Sequence, residues 1–352
     1  VTQELLASGH QVRVLDSLVE QVHGATAPSV PAGVELITAD LRDAAAVNAA
    51  LAEVTHVIHL AAEVGVGQSQ YEIARYVGAN DLGTAVLLEA MIGKPIETIV
   101  VASSMSVYGE GAYAGADGTP QLSIRRRAGA SRAQGWDPRG PNGEALTPVP
   151  TDEHKPVDLA SIYALTKYAQ ERQVLIFGQA YGVNAVALRL FNIFGPGQAL
   201  SNPYTGVLAN FAARLANGQA PLIFEDGNQQ RDFVHVRDVA RAFRLAAEKK
   251  DAAGHVINIG SGRAYTIAQV ARLLAEAMGV AHLAPEIMHK ARSGDIRHCF
   301  ADISKARDLL GFDPQFRLET MLGELSDWVR QAEAVDRSAE MKQQLEARGL
   351  VS

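Results

Sequence analysis

The sequence predicts a doubly wound parallel α/β fold, and three observations carry that prediction. Apolar runs rich in β-branched residues recur through the first two thirds of the chain: "VELIT" (34–38), "HVIHLAA" (56–62), "TIVVASS" (98–104) and "VNAVALRLFN" (183–192). Helix-like segments at 43–53, about 71–92 and 161–180 fall between them, and strands alternating with helices specify a parallel sheet covered on both faces. The strand runs are continuously apolar, which suits strands buried on both sides. Such a sheet binds ligands beyond the carboxyl ends of its strands.

The elements follow in order. Residues 1–9, "VTQELLASG", read as the last turns of a helix with Gly9 closing it. "QVRVLD" (11–16) alternates like a strand and ends on Asp16. An acidic residue there accepts hydrogen bonds from an adenosine ribose in dinucleotide-binding folds, although an acid ending a strand is common. Ser17 and Leu18 follow, with no arginine to receive a 2′-phosphate, so NAD is expected over NADP. The glycine-rich loop belongs about 20 residues before such an acid. The first strand and that loop are therefore expected to be absent from this chain.

Residues 109–152 break the rhythm. They are rich in Gly, Pro and Arg without a sustained period, and read as a long insertion, either a functional lid or a tolerated surface loop. Beyond 193 the pattern is mixed: a helix at 204–217, a strand pair around 220–236, a helix at 237–248, the strand "HVINIG" (255–260) and a helix at 266–278. The expected organisation is a dinucleotide-binding domain over 1–192 carrying the insertion, a smaller mixed α/β substrate lobe over 193–330 partly interleaved with it, and a polar, helical or frayed tail over 331–352.

Bulk properties narrow the function. Thirty-two basic and 39 acidic residues leave a net charge of −7, which argues against general nucleic-acid binding. No apolar run approaches the ~18 residues of a membrane span. Cys299 is the single cysteine, so an intrachain disulfide and a cysteine-built zinc site are excluded, and a reducing cytoplasm fits.

"SIYALTK" (161–167) places Tyr163 and Lys167 four residues apart, on one face of a helix. An ammonium beside a phenol favours the phenolate and lowers its pKa, so the tyrosine can act as a general base or acid. Nine tyrosines among eight lysines give roughly 0.2 such pairs by chance, so the spacing alone is weak.

The chain is similar to the extended short-chain dehydrogenase/reductase family, in particular its nucleotide-sugar epimerases. The resemblance rests on "ADLRD" (39–43), "VIHLAA" (57–62), "ASSMSVYG" (102–109), "SIYALTK" (161–167), "LRLFNIFGPGQ" (188–198) and "RDFVHVRDVA" (231–240), in the family's order across nearly the whole chain. It implies a Rossmann-type sheet with NAD as cofactor. Asp40 and Leu41 would flank the adenine, Leu60, Ala61 and Ala62 would let the cofactor approach the backbone, and Asn80, Ser103 and Phe191 would help hold it. Ser104 would bond the reacting sugar hydroxyl; counting back from "VYG" favours it over Ser103. Tyr163 would be the base, and Lys167 its electrostatic partner and an anchor for the nicotinamide ribose.

Relatives that dehydrate sugars resemble one another in an Asp-Glu pair before "VYG", and decarboxylases of the family usually carry Glu there. This chain has Met105 and Ser106, neither a carboxylic acid, so elimination lacks its acid. The resemblance then implies 4-epimerisation of a nucleotide-diphosphate sugar through a 4-keto intermediate, a reductase with exchangeable cofactor being the alternative. Asn192, Val207, Arg231 and Arg292 would contact substrate, the arginines by forked bonds to its diphosphate, and "SNPYTGV" (201–207) would meet the base. The insertion with "VPTDEHKP" and the run 202–227 most resemble the branch acting on dTDP-L-rhamnose and dTDP-6-deoxy-L-talose, with UDP-glucose or UDP-N-acetylglucosamine epimerases next. The family also implies a homodimer formed through two helices per subunit.

Overall fold

The chain is described by a computed structural model over residues 1–24, 30–125, 135–199, 206–292, 294–331 and 338–351. Its first element is a helix, α1 (Thr2–Ala7), which packs on α6 (Val236–Glu248). Gly9 follows at φ +86°, and the Gly9 and His10 amides donate to the carbonyls of Leu6 and Leu5, closing the helix as its sequence implied.

Six short parallel strands build the sheet layer. β1 (Arg13–Asp16) pairs with β2 (Glu35–Thr38). β3 (His56–His59), β4 (Thr98–Ser104), β8 (Asn184–Leu190) and β13 (Val256–Ile259) form a second sheet in the order β13-β8-β4-β3. Every residue of β4 is buried, as its unbroken apolar run requires of a central strand. One face carries α2 (Ala44–Ala50), α3 (Gly83–Met91) and α4 (Ile162–Tyr181) around Leu87, Ile99, Val174 and Phe177. The other carries α6 and α8 (Ser304–Leu310) around Val100, Val186, Phe243 and Ile257. Gly178 lets α4 close on β8: a Cβ there would stand 2.4 Å from that of Ala185.

The insertion is structured where it is described. β5 (Ala112–Ala114) lies between β6 (Pro120–Gln121) and β7 (Thr147–Val149) in an antiparallel sheet. Strands of two or three residues are too short to show a period of two, so this segment reads as loop from sequence.

A separate apolar core joins α5 (Val207–Ala216), α7 (Ile267–Ala277) and α9 (Leu318–Gln331) through Phe211, Leu274 and Leu325. The strand pair expected around 220–236 is corrected here. β10 (Leu222–Ile223) pairs with β15 (Glu286–Ile287), and β11 (Gln230–Arg231) lies between β14 (Tyr265–Thr266) and β16 (His298–Cys299). β12 (Phe233–His235) pairs with β9 (Asn192–Phe194). These segments are strands, but each finds its partner far along the chain, which local pattern cannot show. The tail forms α10 (Ser338–Ala347), and its Leu345 is buried. Among the described residues no helix is long and apolar enough to cross a membrane.

Candidate active site

The carboxyl ends of β3, β4 and β8 open on a cavity of about 680 Å³, whose far wall comes from α5, β11, Met288, Arg292 and residues 294–296. Helix α4 sets its floor. The Ser161 hydroxyl accepts the Ala164 amide and caps the helix, and Ser69 Oγ accepts the Tyr163 amide at 3.0 Å. Tyr163 therefore stands at the first turn, its ring edge-on to Tyr76 at 6.5 Å, with Lys167 one turn further on. Both line the cavity.

The pleat of β4 separates the two serines. Ser103 Oγ donates to Glu171 Oε2 at 2.7 Å, and Glu171 is held by Arg189 in a buried ion pair (3.0 and 2.7 Å) whose guanidinium lies over the Tyr108 ring. Ser104 Oγ accepts the Ser106 amide at 3.1 Å, and its hydroxyl faces the Tyr163 phenol.

Burial pushes the Tyr163 phenol above its ordinary pKa, while the Ser104 hydroxyl pulls it down. The expected lowering by Lys167 is not present. That ammonium is itself drawn down to about 7 by burial, and its Nζ donates to Gln170 Oε1 at 2.7 Å. Gln170 Nε2 meets Thr84 Oγ1, His59 Nε2 and the Ala61 carbonyl at 2.9, 3.0 and 3.2 Å. Burial and the Lys167 charge hold His59 near 3, hence neutral. The sequence reading missed Gln170 and Glu171, although their offsets from Lys167, three and four, place them on its helix face.

The remaining expected residues divide into two groups. Leu60, Ala62, Phe191, Asn192 and Val207 line the cavity, and Leu60 is 45% exposed at its edge. Asp16, Asp40 and Leu41 lie outside it, at the carboxyl ends of β1 and β2. Asp16 accepts the Leu18 amide and faces His23 at 3.4 Å. Bonds from Arg42 hold the Asp40 carboxyl below its usual range, and Leu41 packs against Gly83.

Asn80 is fully buried, in a π-helical turn at Val77–Leu82. Its Oδ1 accepts the Glu63 amide at 2.7 Å, and its Nδ2 donates to the Glu63 carbonyl and to Thr166 Oγ1. It ties the 60–63 loop to α4.

On the far wall, Arg231 donates to the carbonyls of Gln230, Ile296 and Arg297 and has no carboxylate partner among the described residues. Its charge lines the cavity and is balanced only through space, by Asp295, Glu110 and Glu225. Arg292 is paired with Asp295 at 2.8 Å and lies over the Phe224 ring. The side-chain oxygens of Ser106, Asn192, Gln198 and Gln229 border the cavity without partners among the described residues. Of "SNPYTGV", residues 201–205 lie outside the described residues.

The profile of the NAD dependent epimerase/dehydratase family matches residues 1–129 and 140–260. A dTDP-L-rhamnose 4-epimerase from Burkholderia thailandensis is 36% identical over 337 residues, 94% of this chain and 91% of that protein. Among solved structures, a UDP-N-acetylglucosamine 4-epimerase from Methanobrevibacter ruminantium, in complex with UDP-N-acetylmuramic acid, superposes with a TM-score of 0.76 at 29% identity, covering 94% of this chain and 95% of the other. MoeE5 in complex with UDP-glucose and NAD gives 0.73 at 30%, covering 94% and 93%.

Proposed function

This chain belongs to the NAD dependent epimerase/dehydratase family, and we propose that it inverts C4 of a nucleotide-diphosphate sugar, interconverting dTDP-L-rhamnose and dTDP-6-deoxy-L-talose. The observation that carries this reading is a single cavity with Ser104, Tyr163 and Lys167 on its floor and the Arg231 guanidinium, without a direct carboxylate bond among the described residues, on its far wall. The floor suits proton transfer at a sugar hydroxyl, and the wall suits an anionic diphosphate.

The residues fit NAD at its nicotinamide end. Among the described residues Lys167 is a buried amine bonded only to an amide oxygen, and Leu60 and Ala62 offer an open apolar edge of the same cavity. NAD bound there would supply reversible hydride acceptance at C4. Ser104 aligns the C4 hydroxyl, Tyr163 takes its proton and later gives it back, and Lys167 holds the ribose. Arg231 and Arg292 fix the diphosphate while the 4-keto sugar turns over. Asp16, Asp40 and Leu41 serve the adenosine end, and Asn80 holds the 60–63 loop in place. Met105 and Ser106 supply no carboxylic acid, which supports epimerisation over dehydration. In this reading residues 1–192 form the cofactor domain and 193–330 the substrate lobe.

The 36% relative supports the dTDP-sugar. The UDP-sugars bound by the solved neighbours support a UDP-sugar epimerase as second reading. Exposed Ile73, Val77, Leu165 and Ile176 support a homodimer through two helices per subunit. The test is proton NMR of purified protein with dTDP-L-rhamnose, UDP-glucose or UDP-N-acetylglucosamine, without added NADH. Conversion of the first to a C4-epimer mixture is expected. Conversion of a UDP-sugar alone selects the second reading, and stoichiometric NADH formation from added NAD⁺, with no epimer formed, selects a reductase.

A further inference from the structure

The sequence presents residues 331–352 as a polar tail, and the structure lays the end of it across the cavity. α10 ends at Ala347 in "LEARGL" (345–350). Gly349 adopts φ +67°, its amide donates to the Glu346 carbonyl, and the Leu350 amide donates to the Leu345 carbonyl at 2.9 Å. This paired turn reverses the chain and returns Leu350 to the side of Leu345, the apolar pairing such helix ends favour. Leu345 is 2% exposed, and both leucines line the same cavity as Tyr163 and Arg231.

Anchors hold this segment to both rims. On the cofactor side, Tyr71 donates to Gln344 Oε1 at 2.9 Å, and the Arg348 guanidinium lies 4.2 Å from the Tyr71 ring centroid. On the substrate side, Lys290 pairs with Glu346 at 3.0 Å, and Val351 bridges the backbone of Arg292. Lys290 and Glu346 are each 40% exposed, so that pair contributes little, and the buried leucines supply most of the hold.

We propose that residues 343–351 form a strap that completes the substrate cavity, with Leu345 and Leu350 as substrate-contacting residues. The proposal rests on the nucleotide-sugar reading above. A strap over the cleft keeps water and competing proton donors from the 4-keto sugar while it turns over, and it shuts on Arg292, the expected diphosphate ligand.

Two measurements on the full chain with bound NAD test it. In the double variant Leu345→Ala/Leu350→Ala, the KM for dTDP-L-rhamnose is expected to rise about tenfold, with bound NAD unchanged and kcat changed less. Independently of turnover, amide hydrogen exchange over 343–351 is expected to slow when dTDP-L-rhamnose or UDP-glucose is added to saturation, binding being checked by calorimetry. If a sugar binds while that exchange and the variant's KM stay unchanged, the strap fails and the function stands. If neither sugar binds, the proposed substrate class fails and the strap falls with it.

Discussion

A single oxygen separates Tyr163 from phenylalanine, so Tyr163→Phe tests the chemistry with little change to the packing against Tyr76. Turnover is expected to fall by about 10²–10⁴ with the thermal midpoint preserved, and full epimerase activity in this variant would remove Tyr163 from the mechanism. Lys167 is different because its amine is proposed to hold the cofactor ribose. In Lys167→Ala, NAD retained through purification, read by absorbance after denaturation, is expected to drop together with turnover. Retained NAD at the wild-type level would reject the anchoring role. The Tyr–Lys spacing was legible because a helix imposes it. The partner of each amine and hydroxyl was not, because Gln170 meets His59 and Thr84, and Glu171 meets Ser103, only once β3, β4, α3 and α4 pack together.

At the scale of elements, the π-helical turn at Val77–Leu82 shows how one side chain fixes two segments. Asn80 uses its carbonyl and amide on Glu63 and Thr166, so Asn80→Ala orphans the Glu63 amide and carbonyl and one Thr166 contact. A loss of about 1–3 kcal/mol is expected in denaturant unfolding, with weaker NAD retention because the 60–63 loop loosens. An unchanged denaturation midpoint would show that water replaces the clamp without cost. The sequence located β4 and α4 to within a residue or so, because an unbroken apolar run and a 20-residue helix ending at Gly182 are strong local signals. It did not locate the partners of β10, β11 and β12, nor the small sheet of the insertion. Those strands have two or three residues each, and their pairing is decided by contacts across the chain.

At the scale of the molecule, Arg297 joins parts that lie far apart in sequence. Its guanidinium is 1% exposed and binds Asp137 of the insertion together with Glu225 and Asp226 between β10 and β11, while its amide donates to Glu110. The carbonyls of Ile296 and Arg297 in turn hold Arg231. Arg297→Met leaves three carboxylates without their cation, and a loss of about 3–5 kcal/mol is expected by chemical denaturation. Two buried histidines, His298 beside Arg297 and His59 beside Gln170, set a pH response. Burial lowers His298 from 6.5 to about 4, and burial with the Lys167 charge lowers His59 from 6.5 to about 3. Both native values lie below the ordinary one, so between them the unfolded chain binds more protons than the folded chain. The stability these histidines provide is therefore complete above pH 6.5 and lost as pH falls towards 3. The thermal midpoint is expected to decline steadily from about pH 6.5 downward. Replacing His298→Asn should shallow the slope above pH 4, since one of the two titrating rings is gone. A midpoint flat between pH 7 and 5 would show that water reaches both rings in the folded protein, and that neither is held neutral by burial.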